Sequence, residues 1–362
     1  MGWRGYHLDT PLADALAASI WIEMTKPDGA LADPSHRGAS SPRRVLVTGA
    51  TGFVGANLAR RLVLEGHDVH IVVRSGRNLW RLAGTEGDLT VHDGSLADRD
   101  AVQRIIAEAR PEWVFHLAAH GAYSWERDIE AMVATNVVAT FAFVQACFDV
   151  GIDCFVNTGS SSEYGLKTHP PEESEGIAPN SPYAVTKAAA TLFCGYLARE
   201  RGIPAPTLRL YSAYGPWEEP KRLIPTLLAA ADAGQLPPLV DPTIARDFVY
   251  VDDVVDAYLL AASRPHTDPG AIYNVGTGVQ TTIEQLVTIV RDMLPIVAEP
   301  QWGSMPNRAW DTTAWVADPR HIERELGWQP RVDVRSGLGE TLAWLRRDPA
   351  RLPMYRKLAA AP

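Results

Sequence analysis

Short apolar stretches alternate with longer amphipathic stretches along the first two thirds of the chain. The apolar stretches carry few polar residues on either face, as in strands that helices cover from both sides. Six strands are predicted, over residues 45–48, 68–73, 89–93, 111–119, 154–158 and 207–210. Helical patterns lie between them, over residues 98–110, about 129–150 and 182–201. This alternation predicts right-handed βαβ units and a parallel α/β sheet.

The pattern changes beyond Tyr211, where prolines from Pro216 to Pro242 break the chain into short pieces. A strand, a helix and a further strand follow, over residues 246–251, 252–263 and 272–275, and then short helices and loops. We expect a smaller, discontinuous lobe over the carboxyl ends of the sheet, where ligands of open α/β sheets bind. The predicted units are an N-terminal extension and linker over 1–42, a main domain over 43–211 to which 247–275 returns, and a lobe formed by 212–246 and 276–350.

Composition narrows the functional classes. The net charge of −9 argues against a general nucleic-acid-binding protein, which needs a basic surface. The three cysteines lie in apolar stretches without metal-ligand spacing, which predicts buried thiols in a reducing cytoplasm and no metal site. We see no apolar run of about 18 residues and therefore expect no membrane-spanning helix.

A glycine-rich turn follows the first predicted strand and precedes an amphipathic helix. Gly49 allows the tight turn, Gly52 lets a diphosphate approach the backbone, and Gly55 lets the helix pack close to the strand. The start of that helix presents free N–H groups and a positive dipole end to phosphates. A purely structural turn is the alternative, but the strand and helix on either side favour a dinucleotide site in a Rossmann-type, doubly wound sheet.

The end of the second strand bears on the choice between NAD and NADP. An NAD site usually has an acidic residue there, which bonds the ribose 2′-hydroxyl, whereas an NADP site has an arginine for the 2′-phosphate. This strand ends in Arg74, with Arg77 close behind and no acid in the expected place. Guanidinium groups can meet a phosphate with charge-assisted hydrogen bonds. We therefore predict NADP(H), against the alternative of two solvated arginines in a loop.

Tyr183 and Lys187 are the first candidates for catalysis. They lie four residues apart in the helix predicted over 182–201 and so share a face. A cation beside a phenol favours the phenolate and lowers its pKa, which suits proton exchange with a carbinol oxygen near neutral pH. Lys187 could also reach the cofactor ribose. An ordinary surface pair is the alternative, disfavoured because the pair follows a nucleotide-binding half at a suitable distance.

A serine-rich loop at the end of the fifth strand is the second candidate. Ser160, Ser161 and Ser162 precede Glu163 and Tyr164 there. A hydroxyl in this loop would bond the same substrate oxygen that Tyr183 protonates. Serine-rich loops are often plain turns, but a place at the sheet edge favours the functional interpretation.

Taken together, these motifs resemble an extended short-chain dehydrogenase/reductase that acts on nucleotide-activated sugars. The resemblance covers about residues 43 to 346. The matching motifs are Thr48–Gly55, His116–Ala119, the Ser160 loop with Tyr164–Gly165, Tyr183 with Lys187, Arg209–Pro216, Arg246–Asp253 and Leu326–Pro330.

The resemblance implies roles for individual residues. Ser160 would join Tyr183 and Lys187 in catalysis, Asp93 would contact the adenine, and Asn136 would brace the sheet-edge loops. The expected cofactor contacts are Gly49, Thr51, Gly52, Phe53, Val54, Gly55, Arg74, Arg77, Asp93, Gly94, Leu117, Ala118, Ala119, Tyr183, Lys187 and Tyr211. The expected substrate contacts are Ser160, Ser161, Ser162, Ser212, Arg246 and Arg308, with the two arginines on the diphosphate of a nucleotide sugar.

Two positions depart from the family pattern. Dehydratases and decarboxylases of this family carry a Glu two residues before Tyr164, but that position is Ser162, and Glu163 lies one place late. The usual Asn of the Arg209–Pro216 motif is Ser212. The missing acid argues against elimination.

NADP preference suits a net reduction. We therefore expect NADPH-dependent reduction of a 4-keto (6-deoxy) nucleotide sugar in deoxysugar biosynthesis, with the proton from Tyr183. An NADP-bound 4,6-dehydratase or an epimerase is the alternative, and a non-catalytic nucleotide-sensing module is a distant one. Relatives pair through the helices predicted over 129–150 and 182–201, which implies a homodimer.

Overall fold

A seven-stranded parallel sheet forms the centre of the computed structural model, which describes residues 41–123, 125–307 and 312–360. The strands lie in the order β3-β2-β1-β4-β5-β6-β9, and every neighbouring pair is parallel. They are β1 (Arg44–Thr48), β2 (Asp68–Val73), β3 (Leu89–Asp93), β4 (Trp113–His116), β5 (Cys154–Ser160), β6 (Thr207–Leu210) and β9 (Ile272–Val275). The predicted parallel, doubly wound α/β fold is confirmed.

Helices cover both faces of this sheet. Alternate strand residues point to opposite faces and pack into separate hydrophobic cores. Val45 and Phe115 pack into one hydrophobic core, whereas Leu46, Val114 and Phe155 pack into another. The helices of this part are α1 (Phe53–Leu64), α2 (Arg99–Ala109), α3 (Ile129–Asp149), α4 (Pro182–Arg201) and α6 (Val251–Ser263). The strand order reverses direction between β1 and β4, and the glycine-rich turn lies at that switch point, where ligands of such sheets bind.

Helix α3 contains a π-helical segment, Ala134–Ala139, between two α-helical parts. By length and composition alone α3 is long and apolar enough to cross a membrane, a test that the core helix of a soluble protein also passes. Thr135, Asn136 and Gln145 interrupt the apolar run without lowering its mean hydropathy enough. In the fold, α3 packs against α2 and α4 and buries Phe143 in the core.

A second, three-stranded sheet has the order β10-β8-β7 and belongs to a separate hydrophobic core. Its strands are β7 (Ser212–Tyr214), β8 (Ala245–Tyr250) and β10 (Gln280–Thr282). The helices beside it are α5 (Leu223–Ala231), α7 (Ile283–Met293), α9 (Val334–Arg347) and α10 (Arg351–Ala359); α8 (Arg320–Leu326) packs on β9 of the main sheet.

The return of the chain to the main sheet begins later than the expected residue 247. Strand β8 pairs antiparallel with β10 and parallel with β7, so residues 247–250 lie in the small sheet. Helix α6 and strand β9 then join the main sheet. The apolar pattern of β8 shows that it is a buried strand but does not identify its partners.

Asp247 fastens the two sheets together. Its carboxylate is fully buried and accepts hydrogen bonds from the backbone N–H groups of Thr277, Gly278 and Ala317 at 2.7, 2.9 and 3.0 Å. Thr277 also donates its hydroxyl at 2.6 Å. One side chain of the small sheet thus holds the segment that leaves β9 and the segment that precedes α8.

Candidate active site

The glycine-rich turn between β1 and α1 is packed against the end of β4. Gly49 has a φ of +74°, and a Cβ there would lie 2.6 Å from the Ala118 nitrogen. A Cβ on Gly55 would lie 2.2 Å from the Gly49 carbonyl oxygen. The Gly52 N–H closes the turn by donating to that oxygen at 2.9 Å. Side chains at Gly49 and Gly55 would therefore collide with backbone.

The start of α1 is open to an anion. Gly52 precedes the first helical residue, and no side chain caps the helix. The N–H groups of the first turn, beginning at Phe53 and Val54, therefore have no acceptor within the helix, and the helix dipole also favours negative charge there. This backbone fits the pyrophosphate of a dinucleotide.

The Arg81 side chain anchors the glycine-rich turn by hydrogen bonds, a role that no sequence motif indicates. Its guanidinium donates to the Thr51 carbonyl at 3.3 Å and to the Trp217 carbonyl at 2.8 Å, and it pairs with Glu219 at 3.0 Å. The side chain is only 8% exposed. Arg81 thus links the cofactor turn to the segment before α5, and no motif marks it because it lies in a short 3₁₀ helix, Trp80–Leu82.

The end of β2 brings two arginines to the surface. Arg74 and Arg77 are exposed, and burial of part of the Arg74 side chain together with the Arg77 charge lowers the Arg74 pKa. Ser75 donates its hydroxyl to both carboxylate oxygens of Asp93, at 2.7 and 2.9 Å. Gly94 follows Asp93 and donates its N–H to the Val73 carbonyl at 3.0 Å. The ends of β2 and β3 therefore present two guanidinium groups with a carboxylate beside them.

The end of β4 is fixed to the end of β1. Leu117 donates its N–H to the Thr48 carbonyl at 3.1 Å, and Ala118 donates its N–H to the Thr48 hydroxyl at 3.3 Å. His116 lies between the hydroxyls of Thr48 and Thr140, at 2.8 and 2.9 Å. Burial lowers the pKa of His116 to about 3, so the ring is neutral in the fold.

Tyr183 lies in the first turn of α4. Ser181 caps this helix, accepting the Ala184 N–H at 3.2 Å, and Pro182 occupies its first position. Ser160 is near enough to the Tyr183 phenol to influence its pKa. The helix has the predicted bounds.

The expected lowering of the Tyr183 pKa is not found in the protein alone. Burial and the Glu163 charge raise the pKa of Tyr183 to about 12, and the Ser160 hydrogen bond and the Arg222 charge oppose them. Lys187, one turn further along α4, is buried, and this burial lowers its own pKa. Loss of solvation thus outweighs the favourable charge that the sequence suggested.

The serine-rich loop is organised around Glu163. The carboxylate is fully buried and pairs with Arg209 at 2.9 Å, and it accepts the Ser160 N–H at 2.8 Å and the Thr191 hydroxyl at 3.1 Å. The Ser160 and Ser162 hydroxyls are hydrogen-bonded to each other at 2.7 Å. Glu163 therefore supports the loop from its buried side.

Asn136, in the π-helical segment of α3, bridges two parts of the site. Its side chain accepts the His120 N–H at 2.8 Å and donates to the His120 carbonyl at 2.8 Å. It also donates to the Thr186 hydroxyl at 2.9 Å, and Thr186 donates to the Tyr183 carbonyl at 2.8 Å. The loop after β4 is thus joined to the helix that carries Tyr183.

Two of the expected substrate residues, Ser212 and Arg246, lie in strands of the small sheet, whereas Ser160, Ser161 and Ser162 lie in the serine-rich loop. Tyr211 is buried beside the end of β9, and Ser212 begins β7. Arg246 lies in β8, with its guanidinium 5.6 Å from the ring centre of Trp315. Arg308 lies outside the described residues.

The sequence pattern of the NAD-dependent epimerase/dehydratase family matches residues 45–276. The chain belongs to this family. A nicotinamide dinucleotide is the cofactor of its members, and the backbone cradle at Gly49, Gly52 and Gly55 fits such a cofactor. The resemblance to extended short-chain dehydrogenases/reductases of nucleotide sugars is confirmed.

The alignments with two curated relatives cover nearly the whole length of those proteins. The chain is 32% identical over 314 residues to the UDP-glucose 4-epimerase of Mycolicibacterium smegmatis, covering 84% of this chain and 98% of that protein. It is 30% identical over 316 residues to the dTDP-glucose 4,6-dehydratase of Streptomyces griseus, covering 84% and 94%. The two relatives share the fold and the nucleotide-sugar substrate class but differ in the reaction that their names state.

Two solved structures of UDP-glucose 4-epimerases have the same fold. The Thermotoga maritima enzyme with UDP-glucose has a TM-score of 0.76 at 28% identity, covering 84% of this chain and 98% of that one. The Thermus thermophilus enzyme with NAD has a TM-score of 0.74 at 26% identity, covering 83% and 98%.

Proposed function

We propose that the protein is a nucleotide-sugar 4-epimerase, in which the cofactor takes a hydride from C4 of the sugar and returns it to the opposite face. The observation that carries the proposal is the position of Glu163. Where dehydratases of the family carry their acid, this chain has Ser162, and Glu163 is buried against Arg209. An epimerase needs no such carboxyl group, because one acid/base residue and one cofactor complete its cycle.

In this reaction Tyr183 exchanges a proton with the C4 oxygen, and a bound nicotinamide would supply the hydride chemistry. Ser160, which influences the Tyr183 pKa, is the proposed second hydrogen-bond partner of the same oxygen. The raised pKa of Tyr183 keeps the phenol protonated near neutral pH, so a nearby positive charge is needed to favour the phenolate. Lys187 is the protein's own cation on this face of α4.

The expectation of a 4-keto sugar reductase has less support than the alternative of an epimerase or dehydratase. The curated relatives described above are an epimerase and a dehydratase, in which the hydride is recycled. The Streptomyces griseus relative makes 4,6-dehydration the second candidate. A dehydratase would need another carboxyl group near Tyr183, and Glu126, whose charge raises the Tyr183 pKa, is the group to test.

The substrate is proposed to be a uridine diphosphate hexose, because the Thermotoga maritima neighbour holds UDP-glucose. Arg246 and Arg308 are the proposed ligands of its diphosphate, whose charge two guanidinium groups can offset in an acidic protein. Trp315 stacks against Arg246 and would fix its direction.

For the cofactor we retain NADP(H) as the proposal. Arg74 and Arg77 stand at the end of β2 without an acidic residue in that strand end, although the Thermus thermophilus neighbour binds NAD. Because an epimerase recycles its hydride, the proposed 2′-phosphate preference does not fix the direction of the reaction. The dinucleotide released by heating the purified protein, identified by mass, should be NADP(H); NAD alone would refute this part.

Solvent deuterium separates the candidate reactions. We expect UDP-glucose in D₂O to yield the C4 epimer with the original hydrogen at C4 and no deuterium elsewhere. Dehydration would lose water and place deuterium at C5, because that reaction removes and returns a C5 proton. Oxidation of added NADPH by a 4-keto sugar nucleotide, without epimerisation, would restore the reductase.

Tyr183→Phe is the control for this experiment. It should retain the bound dinucleotide and slow epimerisation by about 10²- to 10⁴-fold, which is the range of general acid–base catalysis. Full activity of Tyr183→Phe would contradict the proposed chemistry.

A homodimer in the cytoplasm is also proposed. Helices α3 and α4 expose large apolar side chains on the described surface, which a second copy could cover. They include Ile129, Val133, Val138, Val185, Leu192, Phe193 and Tyr196. The thiols of Cys147, Cys154 and Cys194 are buried and unpaired, as a reducing compartment allows. Sedimentation equilibrium should give twice the chain mass.

A further inference from the structure

Two aromatic rings form a stacked pair in the loop that follows β4. The rings of Tyr123 and Trp125 are nearly parallel, with an interplanar angle of 2° and centroids 4.8 Å apart. Trp125 is 48% exposed, which is unusual for so large an apolar side chain. The Lys221 ammonium, from the segment before α5, lies 6.0 Å from the centre of the Trp125 ring. The pair therefore lies beside the segment that precedes α5.

Hydrogen bonds fix this loop relative to Tyr183. His120, three residues before Tyr123, is held at both its N–H and its carbonyl by Asn136. Asn136 also donates to Thr186, whose hydroxyl donates to the Tyr183 carbonyl. The start of the loop is thus one side chain away from the first turns of α4.

Glu126 closes the other end of the loop. Its carboxylate accepts the Gly121 N–H at 2.9 Å and the Tyr123 N–H at 3.3 Å. Burial raises the pKa of Tyr123 as it does that of Tyr183, and the Arg222 charge opposes the shift in both. The loop that carries the aromatic pair is therefore held by Asn136 at His120 and by Glu126 at Gly121 and Tyr123.

The geometry points to the Tyr123–Trp125 pair as a platform for the hexose ring of the nucleotide sugar. This inference rests on the proposed function. Aromatic rings bury the apolar C–H face of a ligand while its hydroxyls stay hydrogen-bonded around the edge, and few other exposed surfaces offer this. The platform belongs to the loop that Asn136 joins to the helix of Tyr183, the residue proposed to act on the sugar. Arg246, the proposed diphosphate ligand, lies in the small sheet.

A flat apolar surface suits an epimerase in particular. The hydride leaves one face of C4 and returns to the other from the same cofactor, so the keto sugar must present both faces in turn. Hydrogen bonds with fixed directions would favour one orientation and hinder the other. A stacking surface holds the ring by area without prescribing its orientation, and so retains the intermediate while it turns.

The test compares the binding of UDP-glucose with that of UDP by titration calorimetry, in the full chain with its cofactor. Trp125→Ala should weaken UDP-glucose binding by about three- to tenfold, as expected for the loss of one aromatic contact, and should leave UDP binding unchanged. Trp125→Phe keeps a flat ring and should restore most of the affinity. Trp125→Leu keeps apolar bulk without a ring face and should not.

Three outcomes would overturn the platform. UDP and UDP-glucose affinities that fall together would place Trp125 on the nucleotide. Unchanged affinities in Trp125→Ala would remove it from the ligand site. A Trp125→Leu variant equal to Trp125→Phe would exclude stacking. A parent protein that binds UDP but not UDP-glucose would instead refute the proposed function, which keeps the two failures distinct.

Discussion

Replacing Glu163 by Gln tests the buried support of the serine-rich loop. The substitution keeps the shape of the side chain but removes its charge. The carboxylate now faces three donors, namely the Ser160 N–H, the Thr191 hydroxyl and Arg209. In Glu163→Gln an amide NH₂ must face either Arg209 or Ser160, so that one donor meets another and the guanidinium is left without a counter-ion.

The magnitude follows from burial. The side chains of Arg209 and Glu163 are 3% and 0% exposed, so solvent cannot replace the lost partner. Removing one member of a buried pair costs about 3–5 kcal/mol. For a domain of this size the corresponding fall in melting temperature is on the order of 10 °C.

The assay is thermal unfolding by calorimetry or circular dichroism, with Glu172→Gln as the matched control. Glu172 pairs with Arg320 at the same distance of 2.9 Å, but both side chains are more than half exposed. Its loss should change stability by less than about 1 kcal/mol. Equal falls in the two variants, or a Glu163→Gln protein as stable as its parent, would refute this reasoning. The Glu163 charge raises the Tyr183 pKa, so the acidic limb of the pH–rate profile of Glu163→Gln should also move to lower pH.

Two further predictions concern the glycine turn and the histidine beside it. Gly55→Ala puts a Cβ 2.2 Å from the Gly49 carbonyl oxygen and should lower the amount of bound dinucleotide by about tenfold or more. The bound dinucleotide is measured by its absorbance after release by heat. Gly87→Ala, whose Cβ meets no atom within contact distance, should leave the bound amount unchanged. His116 stays neutral in the fold because its pKa is about 3, whereas the unfolded chain gains a proton near pH 6.5, so stability falls with decreasing pH. At pH 5 the stability lost through this residue, measured by urea unfolding, is about 2 kcal/mol. This loss should be absent in His116→Gln and retained when the exposed His169 is replaced instead.

Regular elements of the fold were predictable because their signals are local. Strands β2, β6 and β9 and helix α4 have the predicted bounds, since each shows an apolar pattern with clear ends. The partner of a strand is not a local property. Strand β8 was therefore placed with the wrong sheet, although its own limits were predicted within one residue.

The site was predictable only where backbone geometry demands a residue type. The glycines of the turn could be identified because a side chain there collides with backbone. The pairing of Glu163 with Arg209, and the anchoring of Thr51 by Arg81, join residues 46 and 30 positions apart through side chains alone. No spacing rule marks such contacts. The rise in the Tyr183 pKa could not be predicted from spacing either. Burial of the whole site raises this pKa and outweighs one neighbouring charge.

The Asp247 carboxylate has a consequence for protein engineering. It belongs to the small sheet, yet its donors at Thr277, Gly278 and Ala317 lie 30 to 70 residues further along the chain. A chimera that takes only residues 212–246 from a relative keeps Asp247 and its three donors unchanged. The imported segment must then fit them as they are. Exchange of the lobe between family members therefore requires both of its segments to be transplanted together with residue 247, because a hybrid that loses these hydrogen bonds leaves a buried carboxylate without its donors.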